Sequence, residues 1–247
     1  MYSDITYCDI GYCLADPTGG FAFQPPRTVF SKRDKPLGMR AIQNCPAVNS
    51  IERQLVEMPS PIGIRLSLED DGAGPALEVI PTGTFVQPKQ IGEMISLEPP
   101  ERWRHPKMPV LQISLPFFFV TDSPCMIAQL PPFFGQAARR WPGTMVAGRF
   151  PLTVWPQNLT WAFEWDRPGE ELIIRQGEPL CYFLFEFNHP DKRPRLVEAA
   201  LTPELDEYRQ GMQDIHHLTP KIEEIWEMAK ARRPERLLVP LAEAENA

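Results

Sequence analysis

The stretch Gly177 to Asp191, GEPLCYFLFEFNHPD, ends in His189-Pro190-Asp191, the HxD spacing of an iron half-site. Iron oxygenases on a jelly roll hold the metal with two histidines and a carboxylate, leaving positions open for oxygen and substrate. His189 and Asp191 would supply two such ligands and His105 the third. Two features oppose that reading: Pro190 constrains the turn between the ligands, and the remaining pair, His216-His217, falls in a helical pattern rather than on a later strand. A polar loop closing a buried strand, with Asp191 beside Lys192 and Arg193, is the simpler expectation. His216-His217 itself stands near a helix end, where an imidazolium favours the negative pole of the helix dipole.

Two other groups of residues have the composition of a binding site. Arg102-Trp103-Arg104-His105-Pro106-Lys107 packs three fixed cations, a titratable histidine and an indole into one short run. Such a run can hold an anion or stack on a planar ligand. Trp141, Trp155 and Trp161, with Arg139-Arg140 and Arg149, would line a groove of the kind that ligand pockets use. Trp141 and Trp155 each precede a proline, which points to loops and so to function, whereas Trp161 reads as core.

Several chemistries lack their signatures. The chain has neither GxGxxG nor GxxxxGK[ST] for phosphates, no HExxH zinc helix and no GxSxG elbow. No cysteine sits beside a histidine in an electropositive stretch, and Cys125 and Cys181 fall in apolar runs where a thiol behaves as a small core residue.

The elements that must position these groups are mostly strands. The chain has 247 residues and 29 prolines, more than twice the average usage of about 5%. Proline lacks an amide donor and fixes φ, so it gathers at strand starts, edges and turns. Residues 1–46 lack periodicity and read as an extended N-terminal arm laid over the domain, with short strands at most and few regular elements. Residues 47–195 carry the strand signals. Ile62, Ile64, Leu66 and Leu68 alternate with polar or small residues, Asp70-Asp71-Gly72 makes a turn, and Leu77 to Ile80 returns. Pro116 splits the apolar run from Val110 to Val120. Trp161, Phe163 and Trp165 share one face of a strand, and the run from Leu180 to Phe187 is apolar on both faces.

From 196 to 247 the pattern becomes helical. Thr202-Pro203 and Thr219-Pro220 each place a capping threonine before a proline suited to the first helical position. In the second helix, Ile222, Ile225, Trp226 and Ala229 make one apolar stripe that needs either the sheet or a partner to cover it. The tail beyond Pro240 reads as loose. Together these signals predict a mainly β protein, a β-sandwich or jelly-roll-like domain with a C-terminal helical appendage.

Charge and cysteine content narrow the partners. A net charge of −7 offers no global positive field for nucleic acid or anionic lipid. No apolar run approaches the roughly 20 residues of a bilayer span. Five cysteines without CxxC spacing, and polar residues after Met1, point to a cytoplasmic setting.

The block from Leu115-Pro116-Phe117-Phe118-Phe119 through Leu130-Pro131-Pro132, Trp155-Pro156, Trp161-Ala162-Phe163 and Arg167-Pro168 to Gly177-Glu178-Pro179-Leu180-Cys181-Tyr182 resembles a bacterial family known as a domain of unknown function. The chain departs from that family at Leu130, where the family has Gly, and its N-terminal half matches only around Asn44-Cys45-Pro46-Ala47. The resemblance implies a β-rich architecture and no activity. The leading expectation is therefore a binding protein, engaging a partner protein, a second copy or a small anionic or planar ligand, with its arm and second helix as contact surfaces. No resident cofactor is expected; the alternatives are a jelly-roll enzyme using iron or zinc, and a structural component of a phage-like assembly.

Overall fold

The computed structural model describes residues 5–15, 24–29, 44–70, 74–83, 88–134, 137–213, 215, 218–219 and 221–244. The remainder of the arm (1–4, 16–23 and 30–43), the turn residues Asp71-Gly72 and the pair His216-His217 lie outside those residues. The chain is mainly β with a small helical part at its C-terminal end, as the proline spacing and alternation predict. Its first strands are β1 (Thr6–Leu14), β2 (Arg27–Thr28), β3 (Leu55–Pro59), β4 (Ile64–Asp70) and β5 (Pro75–Val79). Next come β6 (Ile95–Leu97), β7 (Val110–Ser114), β8 (Phe117–Val120), β9 (Cys125–Leu130) and β10 (Gly143–Met145). The last are β11 (Gly148–Pro151), β12 (Thr160–Trp165), β13 (Leu172–Ile174), β14 (Pro179–Phe187) and β15 (Lys192–Glu198). The helices are α1 (Pro46–Glu52), α2 (Pro88–Glu93), α3 (Pro203–Met212), α4 (Ile222–Arg232) and α5 (Leu241–Ala244).

Among the described residues the strands form sheets with orders β15-β1-β8, β10-β12-β7-β6, β11-β9-β14-β3-β2 and β13-β4-β5. Pro116 separates β7 from β8, so one apolar run serves two sheets. Trp161, Phe163 and Trp165 are fully buried on one face of β12, where Ile113 and Leu111 of β7 stand opposite Trp161 and Phe163. They pack in one core with Phe183, Phe185 and Cys181 of β14, and Trp161 Nε1 donates to the Leu180 carbonyl at 2.8 Å, fastening the two sheets together.

A second core lies under the helices. β8 alternates strictly: Phe117 and Phe119 enter the first core, Phe118 and Val120 the second. Ile225 and Ala229 of α4 pack in that second core with Leu205, Tyr208 and Met212 of α3, while Trp226 lies half-buried at its edge. The chain itself thus covers most of the apolar stripe of α4 and leaves Ile222 exposed.

Three elements depart from the sequence expectations. Thr6–Leu14, expected to be extended arm with few regular elements, forms a strand hydrogen-bonded on both sides, parallel to β15 and antiparallel to β8. Its cysteines, glycine and aspartate conceal the alternation that marks other strands. α3 has its predicted cap, Thr202 Oγ1 accepting from Leu205 N–H at 3.2 Å, but α4 begins at Ile222 with Lys221 as its capping residue. Thr219 Oγ1 instead accepts from Lys221 N–H and donates to Glu224. Beyond Pro240 the tail forms α5, held by the forked pairing of Arg236 with Glu243 at 2.9 and 2.8 Å.

Gly11 packs against the second core. A β-carbon there would stand 2.8 Å from Ala199 Cβ and 3.2 Å from both Leu238 and Val120. Gly11→Ala should therefore lower stability by about 1–3 kcal/mol, the cost of overpacking a filled core. Urea denaturation would show this as a reduced midpoint at unchanged slope.

Candidate functional site

The cationic run lies between β6 and β7. Pro99 and Pro100 lack amide donors, and the turn closes through Arg102 N–H to the Pro99 carbonyl (2.9 Å) and Trp103 N–H to the Pro100 carbonyl (3.2 Å). Trp103 Nε1 donates to the Glu98 carbonyl at 2.7 Å, which fixes the indole, and the Glu98 carboxylate takes Arg102 at 3.0 Å. Arg104 forks onto Glu164, with Nε 2.9 Å from Oε1 and Nη2 on Oε2. Glu164 is buried on β12, on the opposite face from the aromatic row. A buried carboxylate needs a paired cation, so Arg104 is held to neutralise it rather than to meet a ligand. His105 is exposed, its carbonyl accepting from Met108 N–H at 3.0 Å. Lys107 is exposed too and has no carboxylate partner among the described residues.

Lys107 and Trp103 line a cleft of about 380 Å³ together with Leu68, Glu69, Pro75 and Pro106. Pro109 and Pro168 complete it. Backbone bonds pin its walls: Glu98 N–H to the Val110 carbonyl (2.8 Å) and Trp165 N–H to the Pro109 carbonyl (2.9 Å). Trp165 Nε1 donates to the Arg167 carbonyl at 3.2 Å. Gly169, at φ +88°, turns the chain after Pro168 in a conformation that favours glycine, and its N–H reaches the Leu68 carbonyl at 3.4 Å. Sequence reasoning found Trp103 and the cations but missed the opposite wall from β4 and β5. No local signal pointed to it, because Pro75 and Pro168 lie far along the chain from Pro106 and Pro109 and meet only in the fold.

Trp141, Trp155 and Trp161 do not converge on one groove. Trp141, expected on a loop, is buried edge-on against Trp161 at 5.6 Å and close to Phe163 at 6.1 Å, inside the first core. It does stand on a bend outside any helix or strand, as Pro142 predicts, but a loop position does not by itself expose a side chain. The carbonyl of Pro142 accepts from Asp166 and Arg167 N–H groups, which draws the loop onto β12 and the indole inward. Trp155 meets Trp226 of α4 at 5.2 Å, beside the second core. Arg149 pairs with Glu186 at 2.6 Å on the rim of a shallow depression of about 520 Å³ that also includes Met126, Pro151 and Asn188. Arg140 reaches Glu178 at 3.3 Å.

His189 and Asp191 do meet, in the turn between β14 and β15. Asp191 N–H donates to His189 Nδ1 at 3.3 Å, and the Asp191 carboxylate stands 3.4 Å from the same nitrogen. His105 does not join them: among the described residues no group of three or more His, Cys, Asp or Glu is placed to hold a metal ion. The cysteines of the apolar strands are buried, and burial pushes the Cys13 and Cys125 thiols up to about 12 and the Cys181 thiol higher still. Cys45, ahead of α1, is half-exposed.

No family model matches this chain and no curated protein matches it, in keeping with a resemblance that carries no activity. Among solved structures, the chain is similar to a variant of the dUTPase of Staphylococcus bacteriophage 80alpha, at 7% identity over 78% of this chain and 89% of that one, with a TM-score of 0.36. A likeness of that size carries no argument. Among the described residues, no helix is long and apolar enough to cross a membrane.

Two outcomes follow for these side chains. Arg104→Ala should destabilise the fold by about 1–3 kcal/mol, because Glu164 is left buried without its cation; a thermal melt of this variant beside Arg149→Ala, whose partner Glu186 has a 40% exposed side chain, measures the difference. At pH 8, maleimide labelling followed by mass spectrometry should modify Cys45 well before Cys13 or Cys125, whose thiolates are scarce four pH units below their pKa.

Proposed function

We propose that the protein is a binding module whose Trp103 cleft takes a planar ligand carrying one anionic group. The observation that carries this reading is Lys107. Within a run whose two arginines are each committed to a glutamate, it is the cation left over, and it borders a cleft faced by an indole and prolines. A ring stacks on Trp103 between apolar walls, and its acidic group reaches the ammonium. Glu69 shares the lining and repels a polyanion, which favours a single negative charge on a largely apolar body over a phosphate-rich ligand.

Naphthalene-2-carboxylate is a suitable probe. Titration calorimetry should detect its binding, Trp103→Ala should abolish it, and Lys107→Gln should weaken it about tenfold, a loss of about 1.4 kcal/mol. Uncharged naphthalene-2-carboxamide should bind the wild type about as weakly as the acid binds Lys107→Gln. Absence of binding, or binding untouched by Trp103→Ala, overturns the reading.

A further inference from the structure

The cleft beside Trp103 carries two opposite charges that do not neutralise each other. Lys107 borders it on one wall and Glu69 of β4 on the other, and among the described residues neither has an ion-pair partner. The build of β4 explains why Glu69 is left over. Leu66 and Leu68 enter the first core, so Arg65, Ser67 and Glu69 take the outer face of the strand. The cation on that face, Arg65, is held in a fork by Glu171 at 2.7 and 2.8 Å, and Ala76, opposite Glu69 on β5, offers no charge. Glu78, exposed and opposite Ser67, adds a further carboxylate to the same face, which makes this wall net acidic.

The other wall is left with a cation instead. Glu98 takes Arg102 and Glu164 takes Arg104, and Lys107 remains at the cleft. A carboxylate and an ammonium group thus stand on facing walls with an indole and prolines between them. A ligand with only an acidic group uses one end of this arrangement and leaves Glu69 unanswered beside its body. A ligand carrying both charges answers both ends.

We propose that the ligand of this cleft is a zwitterion, a planar aromatic ring bearing a carboxylate that meets Lys107 and an ammonium group that meets Glu69. Aromatic amino acids are the simplest members of that class. The inference rests on the Trp103 cleft being the ligand site and makes Glu69 a second determinant of its specificity. Both charged side chains are exposed, so water screens each contact and the preference for a zwitterion over the matching anion is modest, about fivefold.

Titration calorimetry with tryptophan and with indole-3-propionate, which keeps the ring and the carboxylate but lacks the ammonium group, tests this. The wild type should bind tryptophan about fivefold more tightly or better. Glu69→Gln, at an exposed position, should remove that preference by weakening tryptophan alone, Lys107→Gln should weaken both ligands alike, and Trp103→Ala should abolish both. If indole-3-propionate binds in a manner that depends on Trp103 but tryptophan binds no more tightly, or if the preference survives Glu69→Gln, the zwitterion is overturned and the cleft stands as an anion site. Failure of both ligands to bind, or binding of both untouched by Trp103→Ala, overturns the cleft and the zwitterion together.

Discussion

Four consecutive buried residues, Phe117 to Val120, have to satisfy two hydrophobic cores at once, and the placement of everything else depends on that strand. Because side chains alternate across a strand, β8 can present Phe117 and Phe119 to the aromatic core and Phe118 and Val120 to the helical one only while it stays flat within a sheet. β1 supplies the partner, reading Tyr12 into one core and Cys13 into the other. The end of β8 is then fixed by polar contacts. Thr121 Oγ1 donates to the Asp9 carbonyl at 2.8 Å, and the Asp122 carboxylate collects Leu237 N–H at 2.8 Å, Leu238 N–H at 3.3 Å and Arg233 at 2.7 Å. One carboxylate thereby ties the C-terminal segment to the strand that divides the cores. The helices are a second layer of the same structure.

The charged groups follow a consistent pattern. Arg65 grips Glu171 in a fork at 2.7 and 2.8 Å, and Arg195 grips Asp9; the Arg65 contact holds the Glu171 carboxyl below its usual range. Arg209 lies over the Phe118 ring at 4.7 Å, within reach of Asn158 and Asp206. Guanidinium groups here are mostly structural, which is physically reasonable because the planar fork suits a carboxylate at a partly buried site. A reading of function from cation density alone therefore overcounts. What distinguishes Lys107 is that, without a carboxylate partner among the described residues, it borders the Trp103 cleft.

Strand content was legible wherever alternation was uninterrupted: β4, β12 and β14 follow from Ile64-Leu66-Leu68, Trp161-Phe163-Trp165 and Cys181-Phe183-Phe185. The break at Pro116 was legible for the same local reason. β1 was not, because both its sheet neighbours, β8 and β15, lie far along the chain, and its Gly11 is dictated by Ala199 and Leu238, which no local window contains. The site was half legible. Residue types marked Trp103 and its cations, but a sequence does not show that Glu164, 60 positions on, claims Arg104. Nor does it show that Trp141 faces inward while Phe133 and Phe134 face out. Burial of a single aromatic is set by which strands its loop is drawn against, and that is a long-range property.

The proline content gains its meaning at the cleft. Proline has few backbone states to lose on folding, so a wall made of Pro75, Pro106, Pro109 and Pro168 is rigid at small entropic cost. Prolines also leave no amide to be satisfied, so the wall presents carbon to a ligand where other residues would present a competing donor. The carbonyls that remain are taken up by the fold: that of Pro109 accepts from Trp165 N–H, and Pro142, behind the same turn, accepts from the two residues that precede Pro168. Trp165 is buried in the first core, so the cleft is anchored to the best-packed part of the protein. A site held in this way spends little free energy on ordering when a ligand arrives, and its few contacts translate more fully into affinity. The same anchoring limits the ligand, since walls that do not yield admit only what already fits between the indole and the prolines.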